Sequence, residues 1–194
     1  MSVGDVLKDE DEERGLDALP RLYRPVIWAL CMALVLFQLY TAGFGQLPPL
    51  SQRAVHVGLG LAIVFLGFVR FYGASGGGYK FARVIDIIFA VLAVATTVYI
   101  LTQEARITES FILTVRPVEL VFGSILTLIL LIAAWRTTGP ALPVLAIVML
   151  LYTLFGQYIP GTWGHPGFDF VYLIEHLYLV TEGIWGTVTG LSAN

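Results

Sequence analysis

Apolar positions along the chain fall into five long unbroken blocks rather than alternating with polar ones. A membrane-spanning helix takes about 20 largely apolar residues, and each block approaches that length. The blocks are Pro25–Phe44, Val55–Tyr72, Val84–Thr102, Val118–Trp135 and Pro140–Ile159. Their ends carry helix punctuation. Pro25 suits a first-turn position, Pro48 and Pro49 follow the first block, and Gly139 with Pro140 opens the fifth. A sixth stretch is less regular. Phe168, Tyr172, Leu173, Leu177, Leu179, Val180 and Trp185 are apolar there, but Asp169, Glu175, His176 and Glu182 interrupt them. This pattern predicts an interfacial or partly inserted helix near Phe170–Gly183. The predicted fold is an all-α polytopic membrane protein of five transmembrane helices plus that C-terminal helix.

Composition supports the bilayer as solvent. Of 194 residues, 57% are hydrophobic and 13% charged, against roughly 45–50% and about 25% in soluble domains. The formal charge of −3 is uneven. Asp5, Asp9, Glu10, Asp11, Glu12, Glu13 and Asp17 precede the first block, which reads as a solvated acidic tail. The remainder is slightly basic, and nothing suggests a nucleic-acid partner. Lys8, Arg14, Arg21, Arg24, Arg70, Lys80, Arg83 and Arg136 fall on the N-terminal side of the spans. Only Arg53, Arg106 and Arg116 fall on the other. The positive-inside rule then puts the N-terminus in the cytoplasm and the stretch after Pro160 outside. A bacterial or archaeal inner membrane is the expected location.

Ionisable residues in apolar segments are the place to look for function, because lipid penalises them. Asp86 follows Arg83 by three residues and Glu119 follows Arg116 by three, so each pair is expected to close locally on one helix face. Of the histidines, His56 lies on a span near its outer end, where a hydrogen-bonded polar role is expected, while His165 and His176 lie beyond the fifth block. None is spaced for metal ligation with another. Gly73–Lys80 departs from a phosphate-binding loop, because Tyr79 precedes Lys80 and Phe81 follows it; it reads as a linker. Cys31 reads as a buried inert thiol. No Ser–His–Asp or Cys–His arrangement can be assembled, so no catalytic residue, metal site or cofactor site is expected, and the chain reads as a non-enzyme.

The last quarter of the chain carries a resemblance. It runs Leu151-Tyr-Thr-Leu-Phe-Gly-Gln-Tyr-Ile-Pro-Gly161, then His165-Pro-Gly-Phe168, then Glu175-His-Leu-Tyr-Leu-Val-Thr-Glu-Gly-Ile-Trp-Gly186. This resembles the TAXI-type branch of the TRAP transporters (tripartite ATP-independent periplasmic transporters), at the start of the large membrane module of fused permeases. Upstream, Arg53–His56 is similar to the family's opening of an early span. Arg136 and Gly139 match a family run whose Glu is missing here. The resemblance implies an order of parts. Residues 1–24 would be a cytoplasmic tail, 25–136 a four-helix small membrane module, 137–160 a connecting transmembrane helix, and 161–194 the outer-face start of the large module. That large module performs sodium-coupled symport of solutes that are commonly carboxylates, received from a periplasmic TAXI-type substrate-binding protein. The sodium sites would lie in a large module beyond this chain, which would therefore not transport alone. Expected partners are the large membrane subunit, the binding protein and the lipid bilayer. Candidate docking or interface residues are His56, Arg106, Glu109, Arg116, Glu119, Arg136, Gly156, Pro160, Gly161, His165, Glu175, His176, Glu182 and Gly183. The outer docking surfaces would be Gln103–Arg116 and Gly161–Phe170. A different class of reading, a small haem- or quinone-linked redox membrane anchor, is motivated by His56 and the interfacial aromatics.

Overall fold

Long apolar blocks with few helix breakers can satisfy their own backbone polar groups only by coiling, and the structure shows that outcome. It is a computed structural model that describes residues 23–67, 77–109 and 114–193. The acidic stretch to residue 22, residues 68–76 with the first half of the glycine-rich linker, and 110–113 of the expected docking loop lie outside the described residues. In chain order the helices are α1 (Tyr23–Phe44), α2 (Pro49–Gly67), α3 (Gly77–Glu109), α4 (Pro117–Thr138) and α5 (Ala141–Phe155). Two short 3₁₀ turns follow, Gly156–Tyr158 and Gly161–Trp163, then α6 (Phe170–Ile174), a π-helical turn (Glu175–Leu179) and α7 (Thr187–Ala193). Five helices are long and apolar enough to cross a membrane, as a helical transmembrane protein requires.

The five helices alternate in direction. At one end α1 and α3 finish while α2 and α4 begin; this is called the near end below, and its opposite the far end. The centre of the bundle is α2, α3 and α4. Of their apolar windows 44%, 33% and 28% lie buried, against 6% for α1 and 11% for α5. Leu50, Leu61 and Phe65 of α2, Ala93 and Ile100 of α3, and Leu126 and Ile129 of α4 form the core. The C-terminal segment joins the same core through Ile174, Tyr178, Leu179 and Trp185.

Small residues let these elements approach closely, as expected where lipid gives no hydrophobic drive for helix association. A Cβ on Gly58 would stand 2.6 Å from Thr97 Oγ1, and one on Gly123 would stand 2.5 Å from Ile174 Cγ2 and 2.9 Å from Tyr178 Cβ. Gly123 is thus the seat of the C-terminal segment on α4.

Several expectations are corrected. Helix α2 starts at Pro49, six residues ahead of the expected Val55, because Pro49 suits a first turn and Ser51 is capped from α3. Helix α3 takes in Gly77–Lys80, so the second half of the expected linker is helical. With 33 residues, α3 is about 50 Å long, well beyond a hydrocarbon core of about 30 Å. Its surplus turns at the near end carry Gln103, Glu104, Arg106 and Glu109. Helix α5 gives way at Phe155 to a 3₁₀ turn, short of Ile159. Cys31 is exposed on α1 rather than buried.

Gly123→Ala forces a methyl group into the Ile174–Tyr178 contact. It is expected to destabilise the fold by about 1–3 kcal/mol, and to raise protease or hydrogen-exchange accessibility of 170–193 before that of α2–α4. Equal protection in the two proteins would refute the assigned seat.

Candidate functional site

At the near end a buried carboxylate organises three chain segments. Glu119 lies in the first turn of α4 and is wholly buried. Its Oε2 accepts the Arg116 backbone N–H at 2.8 Å, the carboxylate half of a capping box. Its Oε1 pairs with the Arg106 guanidinium from α3 and accepts the Tyr99 hydroxyl at 3.2 Å. Arg106 Nε also donates to Gln103 Oε1, as does Arg116 Nη1, both at 3.2 Å. The expected local pair is therefore corrected. Arg116 meets Glu119 through its backbone, and the charge partner is Arg106, because a wholly buried carboxylate needs a partner that also enters the interior. Beside it Glu104 of α3 caps α2, accepting from the Ser51 N–H at 3.1 Å and from the Ser51 hydroxyl. Both carboxylates sit at helix N-termini, where the macrodipole favours negative charge.

At the far end the second local pair is corrected in the same way. Asp86 of α3 pairs with Arg136 in the last turn of α4. Arg83 turns instead to α2, where Nη1 donates to the Leu66 carbonyl at 3.0 Å. The Arg136 guanidinium lies 5.1 Å from the Phe65 ring centroid, a cation–π distance. These contacts tie α2, α3 and α4 together at the far end, as Glu104 and Glu119 do at the near end.

The C-terminal segment is the least helical part of the described chain and the most densely held. After α6 the backbone widens into the π-helical turn and becomes extended at Val180. The Tyr178 hydroxyl donates to the Thr96 carbonyl of α3 at 2.7 Å, and the Trp185 indole donates to the Tyr178 carbonyl at 2.7 Å. Arg53 of α2 donates to the Thr181 carbonyl at 3.3 Å and to the Trp185 carbonyl. Gln52 donates to the Ala193 carbonyl at 2.6 Å and to Thr41 Oγ1 at 3.1 Å. Gln38 of α1 donates to the Ser192 carbonyl at 3.2 Å and to His56 Nδ1 at 2.8 Å. Arg53, Gln52, Gln38, Tyr178 and Trp185 were absent from the candidates chosen by sequence. The signal available was one glutamine within the first apolar block and a Gln-Arg pair just ahead of the second, which do not announce a partner more than a hundred residues away.

The other candidates have separate places. His165 folds onto the end of α5: its Nε2 donates to the Tyr152 carbonyl at 2.9 Å and its Nδ1 accepts the Gly167 N–H at 3.0 Å. Gly156 is buried directly beneath that ring, leaving no room for a side chain. Pro160 lies in the exposed link between the two 3₁₀ turns, and exposed Gly161 opens the second. His165, Phe168, Tyr172 and His176 then form a ladder of neighbouring rings with centroid spacings of 5.7, 4.9 and 6.2 Å. Glu175 is half-buried, Glu182 is exposed, and Glu109 is exposed at the end of α3. Gly183 turns back against the His176 and Leu177 backbone.

The structure thus gathers the sequence candidates into two structural clamps and a C-terminal lock, not one centre. Among the described residues no group of three or more His, Cys, Asp or Glu is arranged to hold a metal ion. Both ring nitrogens of His165 are engaged by backbone, and Nδ1 of His56 by Gln38. The chemistry on offer is the holding of backbone and of helix ends.

Glu119→Gln removes the charge facing Arg106 and is expected to cost about 3–5 kcal/mol, as when one member of a buried pair is removed. Adding Arg106→Gln should recover part of that loss, giving a coupling of about 1 kcal/mol or more in a double-mutant cycle of unfolding in detergent. Additive losses would mean the pair is not coupled. Arg53→Ala is expected to loosen 180–193 selectively, read as faster labelling of a cysteine placed at exposed Val188.

Compared with known proteins, the chain matches no protein-family model, no curated protein and no solved structure.

Proposed function

We propose that this chain is a bracing membrane module of a TRAP-type solute transporter, non-catalytic in itself, together with the opening of the module that moves solute. The reading rests first on the run from Leu151 to Gly186 that resembles TAXI-type permeases. The observation that carries it furthest is the way this run is held. Arg53, Gln52 and Gln38 of the first two helices reach its backbone carbonyls, and Thr96 and Gly123 of the third and fourth receive Tyr178. Such an arrangement can transmit the rigidity of a helical bundle to whatever follows the lock. In this reading the C-terminal segment, folded between helix ends, is partly inserted. In this proposal the N-terminus is cytoplasmic in a bacterial or archaeal inner membrane. The near end, with Gln103–Arg116 and Gly161–Phe170, faces the periplasm and contributes to docking of a TAXI-type binding protein. Solute uptake is a sodium-coupled symport of a carboxylate-type solute, with the ion sites in the large module. The haem- or quinone-linked alternative turns on His56, whose Nδ1 accepts from Gln38.

Two measurements test this. The full chain, reconstituted in nanodiscs with a TAXI-type large membrane module, is expected to co-purify with it and to retain a cognate periplasmic binding protein. Loss of both associations would remove the transporter reading. Arg53→Ala should weaken retention of the large module while leaving the Arg106–Glu119 clamp intact. The purified protein is also expected to lack a Soret band. A band abolished by His56→Ala would favour the redox anchor instead.

A further inference from the structure

Close to the near end, one side-chain amide joins three elements. Gln38 of α1 uses a single nitrogen, Nε2, to donate to the Ser192 carbonyl of α7 at 3.2 Å and to meet His56 Nδ1 of α2 at 2.8 Å. That nitrogen carries two hydrogens, one for each contact. The Ser192 carbonyl fixes which way the amide points, since the reverse orientation would set Oε1 against a carbonyl oxygen. Nδ1 of His56 is therefore an acceptor, and the ring proton sits on Nε2. Ser192 belongs to the last turn of α7, where carbonyls find no partner within the helix. Gln38 on Ser192 and Gln52 on Ala193 supply those partners.

We propose that His56 is a proton-sensitive latch on the C-terminal segment, closed when the imidazole is neutral and released when it is protonated. A proton added at Nδ1 turns the acceptor into a donor, and two N–H groups then face each other. The contact recovers only if the amide turns to offer Oε1 to the imidazolium, and that turn withdraws the donor from Ser192. Gln52 still holds Ala193, so α7 loosens without leaving the bundle. The proton has a route. His56 lies about 10 Å along α2 from Pro49 at the near end and is half-buried, and the Gln38–Ser192 contact is exposed. The charges around it have other duties. On α2, Arg53 stands three residues before His56 and gives its guanidinium to the Thr181 and Trp185 carbonyls. From α3 and α4, Glu104 serves Ser51, Arg106 pairs with Glu119, and Arg116 donates to Gln103. In the C-terminal segment Glu182 is exposed, and α7 carries no ionisable side chain. On α1 the ionisable side chains are Tyr23, Arg24, Cys31 and Tyr40, the last stacked on Phe44. Among the described residues the hydrogen-bond partner of the His56 ring is Gln38. The latch does not depend on the transporter reading.

The test uses the full chain in lipid nanodiscs, with a nitroxide on Val188→Cys at the exposed start of α7 and Cys31→Ala to leave one thiol. Spin-label mobility is read from about pH 8 to about pH 5, the range across which histidines change charge. The ratio of mobile to immobile label is expected to rise about fivefold as the pH falls, the effect of one hydrogen bond of roughly 1 kcal/mol. His56→Asn places near Nδ1 an acceptor that gains no proton, so the label should lose its pH response and stay immobile. Gln38→Leu suits an apolar helix and removes the relay without touching His56; its label should be equally mobile at both ends of the range. Unchanged mobility in the parent chain, or a pH response that survives in either variant, would overturn the proposal.

Discussion

Between Leu179 and Trp185 the backbone leaves helical geometry beside helices that are apolar enough to lie in lipid. Where lipid or packing excludes water, non-helical backbone must be satisfied from within the protein. The rest of the molecule is arranged around this requirement. Arg53 supplies donors to the Thr181 and Trp185 carbonyls, Trp185 itself closes onto the Tyr178 carbonyl, and Gln52 and Gln38 serve the last turn of α7. Each donor is a side chain that would be a liability in an isolated spanning helix. Each is tolerated because it faces the broken segment.

The donors can reach only if α1, α2, α3 and α4 hold a fixed register, and the two ends of the bundle provide it. At the near end Glu104 and Glu119 fasten the starts of α2 and α4 to α3. At the far end Asp86, Arg83 and Arg136 fasten the opposite ends. Buried ion pairs contribute little net stability, since desolvation offsets most of the attraction. Their value here is positional: a one-residue slide of α3 would strand two carboxylates and two guanidiniums at once. Close approach along Gly58 and Gly123 then brings the core into contact, and Tyr178 enters the space that Gly123 leaves.

The fold divides into two parts. The central trio of helices carries the core, and the C-terminal segment is a short irregular lock hydrogen-bonded to α1, α2 and α3. The flanks of α1 and α5 carry much of the exposed apolar surface among the described residues. Glu119 and Gly156 are both buried at the near end, where they shape the backbone around them.

The number and approximate limits of the spanning helices were legible in the chain, because hydrophobic burial in lipid depends on run length and composition alone. The start of the sixth helix near Phe170 was legible too, since Asp169 caps it locally by accepting the Tyr172 N–H at 2.7 Å. What the chain could not reveal was which charges pair. A spacing of three residues makes Arg83–Asp86 and Arg116–Glu119 local neighbours. Burial nevertheless decides for Arg136 and Arg106, because a carboxylate in the interior takes the cation that is brought in with it by another helix. Arg53, Gln52 and Gln38 illustrate the same limit. Sequence shows Gln38 as a polar residue in an apolar run and Gln52 and Arg53 as polar residues between two runs, and only the tertiary fold, which places their helices beside a segment more than a hundred residues away, turns them into the donors that let the C-terminal segment leave helical form.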